Sequence, residues 1–344
     1  MSGVQTLTLS AEADGQRLDR WLKRTFPQLT QGRVEKMCRK GELRVNGGRV
    51  KASTRLEEGQ TLRVPPLPPE MPSAPGIAVR AITDADAEMI QRSVIYKDDD
   101  MIAINKPPGL ASQGGTGTTR HVDMLSDALR FERADKPKLV HRLDRDTSGV
   151  LVLARHGKAA TGISKAFQSK SSRKIYWAAV AGCPAPRIGT IKYGLVKAGG
   201  YGVEKMICIH PMDIENHEGA KRATSDYKVL EAAGKRVTWV ALVPITGRTH
   251  QLRAHMAEIG HPIIGDGKYG HNSSTNEGDG WGAQLGGDIS KKLHLHARTL
   301  MFDHPSNGSR VVLTAAMAEH MERTWEMMAW EPKEHPGDPF EEDL

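Results

Sequence analysis

The chain has 344 residues, 38% of them apolar and 26% charged, with a formal net charge of +7. That length suggests two domains rather than one, and the composition is ordinary for a soluble globular chain. No apolar run is long enough to span a bilayer, no charged-then-apolar leader opens the chain, and three widely spaced cysteines (Cys38, Cys183, Cys208) argue against a disulfide framework and for a reducing, cytoplasmic setting.

Charge is unevenly placed along the chain. Residues 1–65 carry 13 Lys/Arg against 7 Asp/Glu, whereas the last 14 residues carry one Lys against 6 Asp/Glu. Such a concentrated basic excess is common in nucleic-acid binders. Within this stretch Leu18, Trp21 and Leu22 fall at helical spacing. Thr30 is placed to cap a second helix over 31–40, in which Val34 and Met37 form an apolar line while Arg33, Lys36 and Lys40 recur on another face. Leu43 to Val50 then alternates around Asn46-Gly47, a hairpin signal that carries Arg44 and Arg49, and Leu62-Arg63-Val64 supplies a closing strand. Taken alone, the pattern also describes a solvated basic face on a generic helix pair.

Pro65, Pro66, Pro68, Pro69, Pro72 and Pro75 make an extended, semi-rigid linker. Beyond it, Ser93–Tyr96 and Met101–Asn105 read as strands, and the second runs into Lys106-Pro107-Pro108-Gly109. Gly114-Gly115-Thr116-Gly117 lacks the Lys-Ser/Thr of a nucleotide-binding P-loop, so no nucleotide cofactor is expected. The stretch from His141 to Arg155 crowds charge and hydroxyls ahead of Gly149, then becomes a β-branched and leucine run. Such a run reads as a buried strand, which places Asp144 on a loop at the mouth of a sheet. A turn whose Asp and Ser satisfy their own backbone is the competing reading.

Residues 157–169 read as an amphipathic helix and 173–182 as a strand containing Lys174 and Tyr176. A tyrosine there is by itself an ordinary core residue. Short strands and loops are expected over 189–217, and longer strands over 223–229 and 237–243. Thr249 is placed to cap a helix that Gly260 ends. His250, His255, His261, His294 and His296 match no metal-ligand spacing, so no metal site is expected. Residues 271–288 read as a Gly, Ser and Asn-rich insert, 315–330 as a closing helix, and 331–344 as an acidic, disordered tail.

His141-Arg142-Leu143-Asp144, followed by Thr147-Ser148-Gly149, resembles the signature of the pseudouridine synthases that modify large-subunit ribosomal RNA. Lys106-Pro107-Pro108-Gly109, Lys174-Ile175-Tyr176, Arg248-Thr249-His250-Gln251-Leu252-Arg253 and Leu293 to Pro305 resemble further motifs of that family in matching order. The N-terminal helices and hairpin resemble a small RNA-binding module first described in a small-subunit ribosomal protein. The implied fold is α+β. A small helical/hairpin RNA-binding module (15–65) would be joined by the Pro-rich linker (66–76) to a catalytic domain (77–330) with a mixed, largely antiparallel sheet and flanking helices. The resemblance implies that Asp144 is the single essential catalytic residue, that Tyr176 stacks on the target uracil, and that Arg253 pairs with the catalytic carboxylate. It also implies that the Lys106–Gly109 turn shapes one wall of the cleft and the Gly114–Gly117 loop covers it. Leu252 stands where the family usually has isoleucine, and Gln113 where members often carry histidine; the latter bears on target choice rather than catalysis.

The expected activity is isomerisation of uridines to pseudouridine in large-subunit ribosomal RNA, free or in a ribosome-assembly intermediate. A monomer needing no cofactor, metal or membrane would carry it out. Arg142 is expected to help hold a flipped uridine, and Arg33, Lys36, Lys40, Arg44 and Arg49 to contact phosphates. Three other readings use the same residues: a synthase acting on tRNA, a non-catalytic RNA-binding assembly factor, and a hydrolase pairing Asp144 with a second acid such as Asp146. Convergence of Asp144, Tyr176 and Arg253 in one cleft separates an enzyme from a binding module.

Overall fold

The computed structural model describes residues 3–67, 82–115, 118–198, 205–270 and 289–341. The chain divides into two compact units, Met1–Ala81 and Ile82–Leu344. The first contains β1 (Gln5–Thr8), α1 (Leu18–Thr25), α2 (Gln31–Lys40), β2 (Arg44–Val45), β3 (Gly48–Arg49) and β4 (Thr61–Val64). Its sheet runs β1-β4-β2-β3, antiparallel throughout. The Thr30 hydroxyl accepts the Arg33 N–H at the start of α2, and Gly41 ends the helix in the left-handed region, where the missing Cβ removes the steric penalty. Asn46 and Gly47 both have positive φ, the condition for the tight hairpin turn that matches strand twist. Leu18 and Leu22 of α1, Val34 and Met37 of α2, and Leu62 of β4 close a core of their own.

The second unit contains α3 (Asp84–Arg92), β5 (Val94–Lys97), β6 (Met101–Lys106), α4 (Val122–Leu125), β7 (Lys138–Leu139), β8 (Ser148–Ala154) and α5 (Gly157–Ala166). It continues with β9 (Arg173–Ala181), β10 (Ile188–Lys197), β11 (Met206–Ile209), β12 (Lys221–Ala233), β13 (Val237–Pro244), α6 (Gln251–Glu258), β14 (Leu295–Asp303), β15 (Arg310–Thr314) and α7 (Glu319–Met327). One large sheet follows the order β11-β10-β12-β13-β9-β14-β8-β6-β5, with β15 on β14 and β7 on β8. Among the described strands only β14 and β8 pair in parallel, so the sheet is mixed and largely antiparallel. β9 shows why both faces are covered. Ile175, Trp177 and Ala179 pack with Trp239, Trp325 and Trp330, while Ala178 and Val180 pack with Leu252 and Met256 of α6. No helix among the described residues is long and apolar enough to cross a membrane.

Three expectations change. The first unit begins with β1, which the polar Gln-Thr-Leu-Thr alternation hid, and it keeps Leu67 in its core; residues 68–76 of the proline stretch lie outside the described residues, as do 271–288 and 342–344. Residues 331–341 are packed rather than disordered. Phe340 is buried with the tryptophans, Asp338 pairs with Arg173 at 2.5 Å, and Lys228 donates to the Pro339 carbonyl. One aromatic anchor and used acidic groups outweigh the average composition. Finally, Thr249 does not cap α6: His250 occupies the cap position with φ +52°.

Candidate active site

A cavity of about 800 Å³ opens where the loop before β8, the start of β9 and the loop before α6 meet. Arg142, Asp144, Tyr176 and Arg253 all line it, so the side chains singled out from three separate motifs converge. Asp144 is the only acidic side chain among the described lining residues. One Asp144 oxygen, Oδ2, stands 3.7 Å from the Arg253 guanidinium and 3.8 Å from His250 Nε2. Those separations are too long for hydrogen bonds and leave the carboxylate held by charge alone. Arg142 is exposed at the rim. Tyr176 packs against the apolar clusters on either side of the cavity floor. Burial, with the Asp144 charge adding to it, raises the Tyr176 hydroxyl above its usual value and keeps the ring neutral.

Arg253 has a second and closer partner. Its Nε and Nη2 donate to Asp266 at 2.7 and 2.8 Å, a bidentate pair with the Asp266 side chain fully buried. The expected pairing with Asp144 is therefore the looser of two, because planar guanidinium geometry is taken up by Asp266. Asp266 also accepts the Lys268 and Tyr269 N–H groups. Burial pushes its carboxyl up, but the Arg253 bonds and these N–H donors together hold it below the ordinary carboxylate range. Tyr269 completes the frame: its ring lies 5.4 Å from the guanidinium, its oxygen accepts the Met206 N–H, and it lies 3.0 Å from His250 Nδ1. The other ring nitrogen, Nε2, faces Asp144. Burial lowers the His250 pKa, opposed by Asp144 and reinforced by Arg253 and Lys268, so the ring is neutral.

The loop carrying Asp144 is braced from behind. Ser112 Oγ accepts the Leu143 N–H and donates to the Leu143 carbonyl. Lys106, fully buried, donates to the carbonyls of Pro107, Leu110 and Arg145, which match the three N–H donors of an ammonium. Burial lowers its pKa to about 7, against the opposing charges of Asp146 and Asp144. The Lys106–Gly109 turn therefore buttresses the Asp144 loop and is not among the cavity lining, contrary to expectation. Gly114 and Gly115 do not line the cavity either, and residues 116–117 of that loop lie outside the described residues. Gln251 fixes the other wall, accepting from Thr246 Oγ1 and the Arg248 N–H while donating to Thr224 O and Ser225 Oγ. His255, His294 and His296 are buried and hydrogen-bonded, and no group of three metal-ligating side chains occurs among the described residues.

In the first unit Arg33, Lys36 and Lys40 are exposed on α2. Arg44 stands opposite Arg49 on one side and Arg63 on the other, so three arginines form a row across β3, β2 and β4. Arg49 lies over Gly41 at the C-terminal end of α2, which sets this row beside Lys40.

Sequence reasoning gave no role to Asp266, Tyr269, Ser112 or Gln251, and read His250 as a basic-helix or capping histidine. Each acts through a partner distant in sequence, a relation that no local motif records.

Comparison with known proteins places this geometry. Residues 100–258 match the RNA pseudouridylate synthase family, and residues 16–62 match the S4 domain. Three proteins named ribosomal large subunit pseudouridine synthase C are similar over nearly their whole length. The one from Rickettsia typhi is 33% identical, covering 89% of this chain and 95% of its own. The Vibrio parahaemolyticus protein is 32% identical over 93% and 95%, and that of Yersinia pestis 34% over 91% and 92%. The solved structure of human RNA pseudouridylate synthase domain containing 4 is 28% identical, covers 71% of this chain and 96% of its own, and has a TM-score of 0.57. With Asp144 the one acid lining the cavity among the described residues and a match to the S4 domain ahead of it, the chain belongs to the RNA pseudouridylate synthase family and is a pseudouridine synthase.

Proposed function

We propose that this enzyme isomerises specific uridines of large-subunit ribosomal RNA to pseudouridine and that Asp144 carries the covalent step. The observation that carries the reading is the position of Asp144, the sole acid lining the cavity among the described residues, between His250 and Arg253. Pseudouridylation breaks the bond from uracil N1 to ribose C1′, turns the base, joins C1′ to C5, and moves the C5 proton to solvent while N1 gains one. Nothing is oxidised and nothing leaves. One carboxylate suffices, whether it attacks C1′ or takes the ribose 2′ proton. A hydrolase of the two-carboxylate kind needs a second acid across the bond, and Asp146 does not line the cavity.

The remaining roles follow from placement. The Tyr176 ring, neutral, half-buried and lining the cavity, is suited to stack on the uracil and keep water from C1′. Arg253, oriented by Asp266, stands 3.7 Å from Asp144 and holds it in place. Taking a uridine out of a helix costs a few kcal/mol, and Arg142, exposed on the cavity lining, is placed to help hold the flipped state. Arg33, Lys36, Lys40, Arg44 and Arg49 supply phosphate contacts that set affinity and orientation. The three free cysteines suit a cytoplasmic enzyme, acting as a monomer.

The test is tritium release from uridine-labelled ribosomal RNA, with pseudouridine mapping of large-subunit RNA and tRNA from cells with and without the gene. Asp144→Asn should abolish release while RNA affinity stays within a few fold. A variant retaining a tenth of wild-type turnover removes the role from Asp144, and a missing modification in tRNA alone moves the target.

A further inference from the structure

Six cationic side chains line the cavity among the described residues, and all but one have an evident place. Arg253 is held by Asp266 and Arg173 by Asp338. Arg142, Lys170 and Arg248 are exposed and need no counter-charge. Lys174 is different. It is partly buried and has no carboxylate or hydrogen-bond partner among the described residues. Its ammonium rests instead over the Phe167 ring, 5.0 Å from the centroid, a weaker partner than an acid. Burial alone shifts its pKa, downward, with no acid opposing.

A cation partly withdrawn from water without an anion is unfavourable for the free enzyme. Such a group persists where a ligand supplies the missing charge. Lys174 lies two residues before Tyr176 on β9, and side chains two apart on a strand project to the same face, about 7 Å apart. That separation is on the scale of a single nucleotide. We propose that Lys174 is the site at which the phosphate of the target uridine, or the one next to it, is bound within the catalytic cavity. Resting on the reading of this cavity as the uridine site, it assigns Lys174 a task that Tyr176 and Arg253 do not cover: it fixes the backbone so that the base meets the tyrosine and C1′ meets Asp144.

The test pairs protein and RNA changes. Lys174→Met and Lys174→Arg are compared with wild type on a synthetic oligoribonucleotide spanning a uridine that the wild-type enzyme modifies. Lys174→Met should weaken binding on the order of ten-fold and reduce the slope of log K against log salt by about one; Lys174→Arg should retain the slope. A neutral methylphosphonate at one phosphate flanking the target should weaken wild-type binding but leave Lys174→Met unaffected. Thermal stability separates a structural role, since relieving an uncompensated charge should leave the Tm of Lys174→Met equal or higher. A lower Tm with an unchanged salt slope and additive methylphosphonate effects would overturn the assignment while leaving the uridine site intact. If wild type modifies no uridine in ribosomal RNA or tRNA, both fall together.

Discussion

Asp266 illustrates how much of an active site lies behind the residue that reacts. It does not line the catalytic cavity, yet it holds Arg253 bidentately beside Asp144. Removing one partner of such a buried pair is costly, about 3–5 kcal/mol, because the other charge is left uncompensated. Asp266→Asn should therefore lower stability by about 3 kcal/mol at neutral pH and reduce turnover, although Asn occupies the same volume. The pH dependence has a definite sign. The folded pKa of Asp266 lies below its ordinary value, so its contribution is present above the unfolded value of about 3.9 and is lost as pH falls through the folded one. Urea unfolding from pH 7 downward should show a deficit in the variant that shrinks only in acid. An equal deficit at every pH would mean that hydrogen-bond acceptance by both oxygens, not charge, is what Asp266 supplies.

At the scale of elements, the junction of β8 with β14 sets where the Asp144 loop emerges. It is the one parallel pairing among the described strands, through His296 with Ser148 and Ala297 with Gly149. Ser148 Oγ meets His296 Nδ1 at 2.8 Å, and β14 shifts register against β9 just beyond, the kind of irregularity that re-aims side chains beside active sites. Gly149 has φ +109°, and a Cβ there would stand 2.2 Å from the Ala297 carbonyl oxygen. The motif glycine is thus a packing requirement. Gly149→Ala should destabilise the catalytic unit by about 2–3 kcal/mol and lower activity through a displaced Asp144 loop; differential scanning calorimetry together with tritium release checks both. A Tm unchanged within a degree would show that the strands can separate without penalty.

At the scale of the whole molecule, chemistry and affinity are assigned to units with separate cores. The first unit carries a row of three arginines and the exposed cations of α2, while the catalytic unit carries the cavity. Each phosphate contact contributes to the salt dependence of binding, so deleting residues 1–81 should weaken RNA binding and flatten its salt slope by several units. Because the catalytic unit has its own core, turnover on a short RNA at saturating concentration should persist. Nitrocellulose filter binding over a salt series and single-turnover kinetics report the two effects. An equal slope with and without the first unit would place the phosphate contacts on the catalytic unit instead.

Sequence by itself determined what is local or periodic: the limits of α2, the Asn46-Gly47 turn, the buried β8 run after the Asp144 loop, and the motifs carrying Asp144, Tyr176 and Arg253. Helix caps, turn conformations and alternation act over a few residues, so the residues themselves specify them. Tertiary structure alone decided that the three motifs share a cavity, that Asp266 and Tyr269 set Arg253 and His250, and that Lys106 supports the loop rather than lining the cleft. Those outcomes depend on pairings between residues more than 100 positions apart, such as Arg253 with Asp144 or Tyr176 with Ala297. Phe340 makes the same point at the far end, where an acidic composition suggested disorder and one buried ring with an Arg173–Asp338 pair secured the chain. Average composition records what a segment contains; only packing records what it finds to bury against.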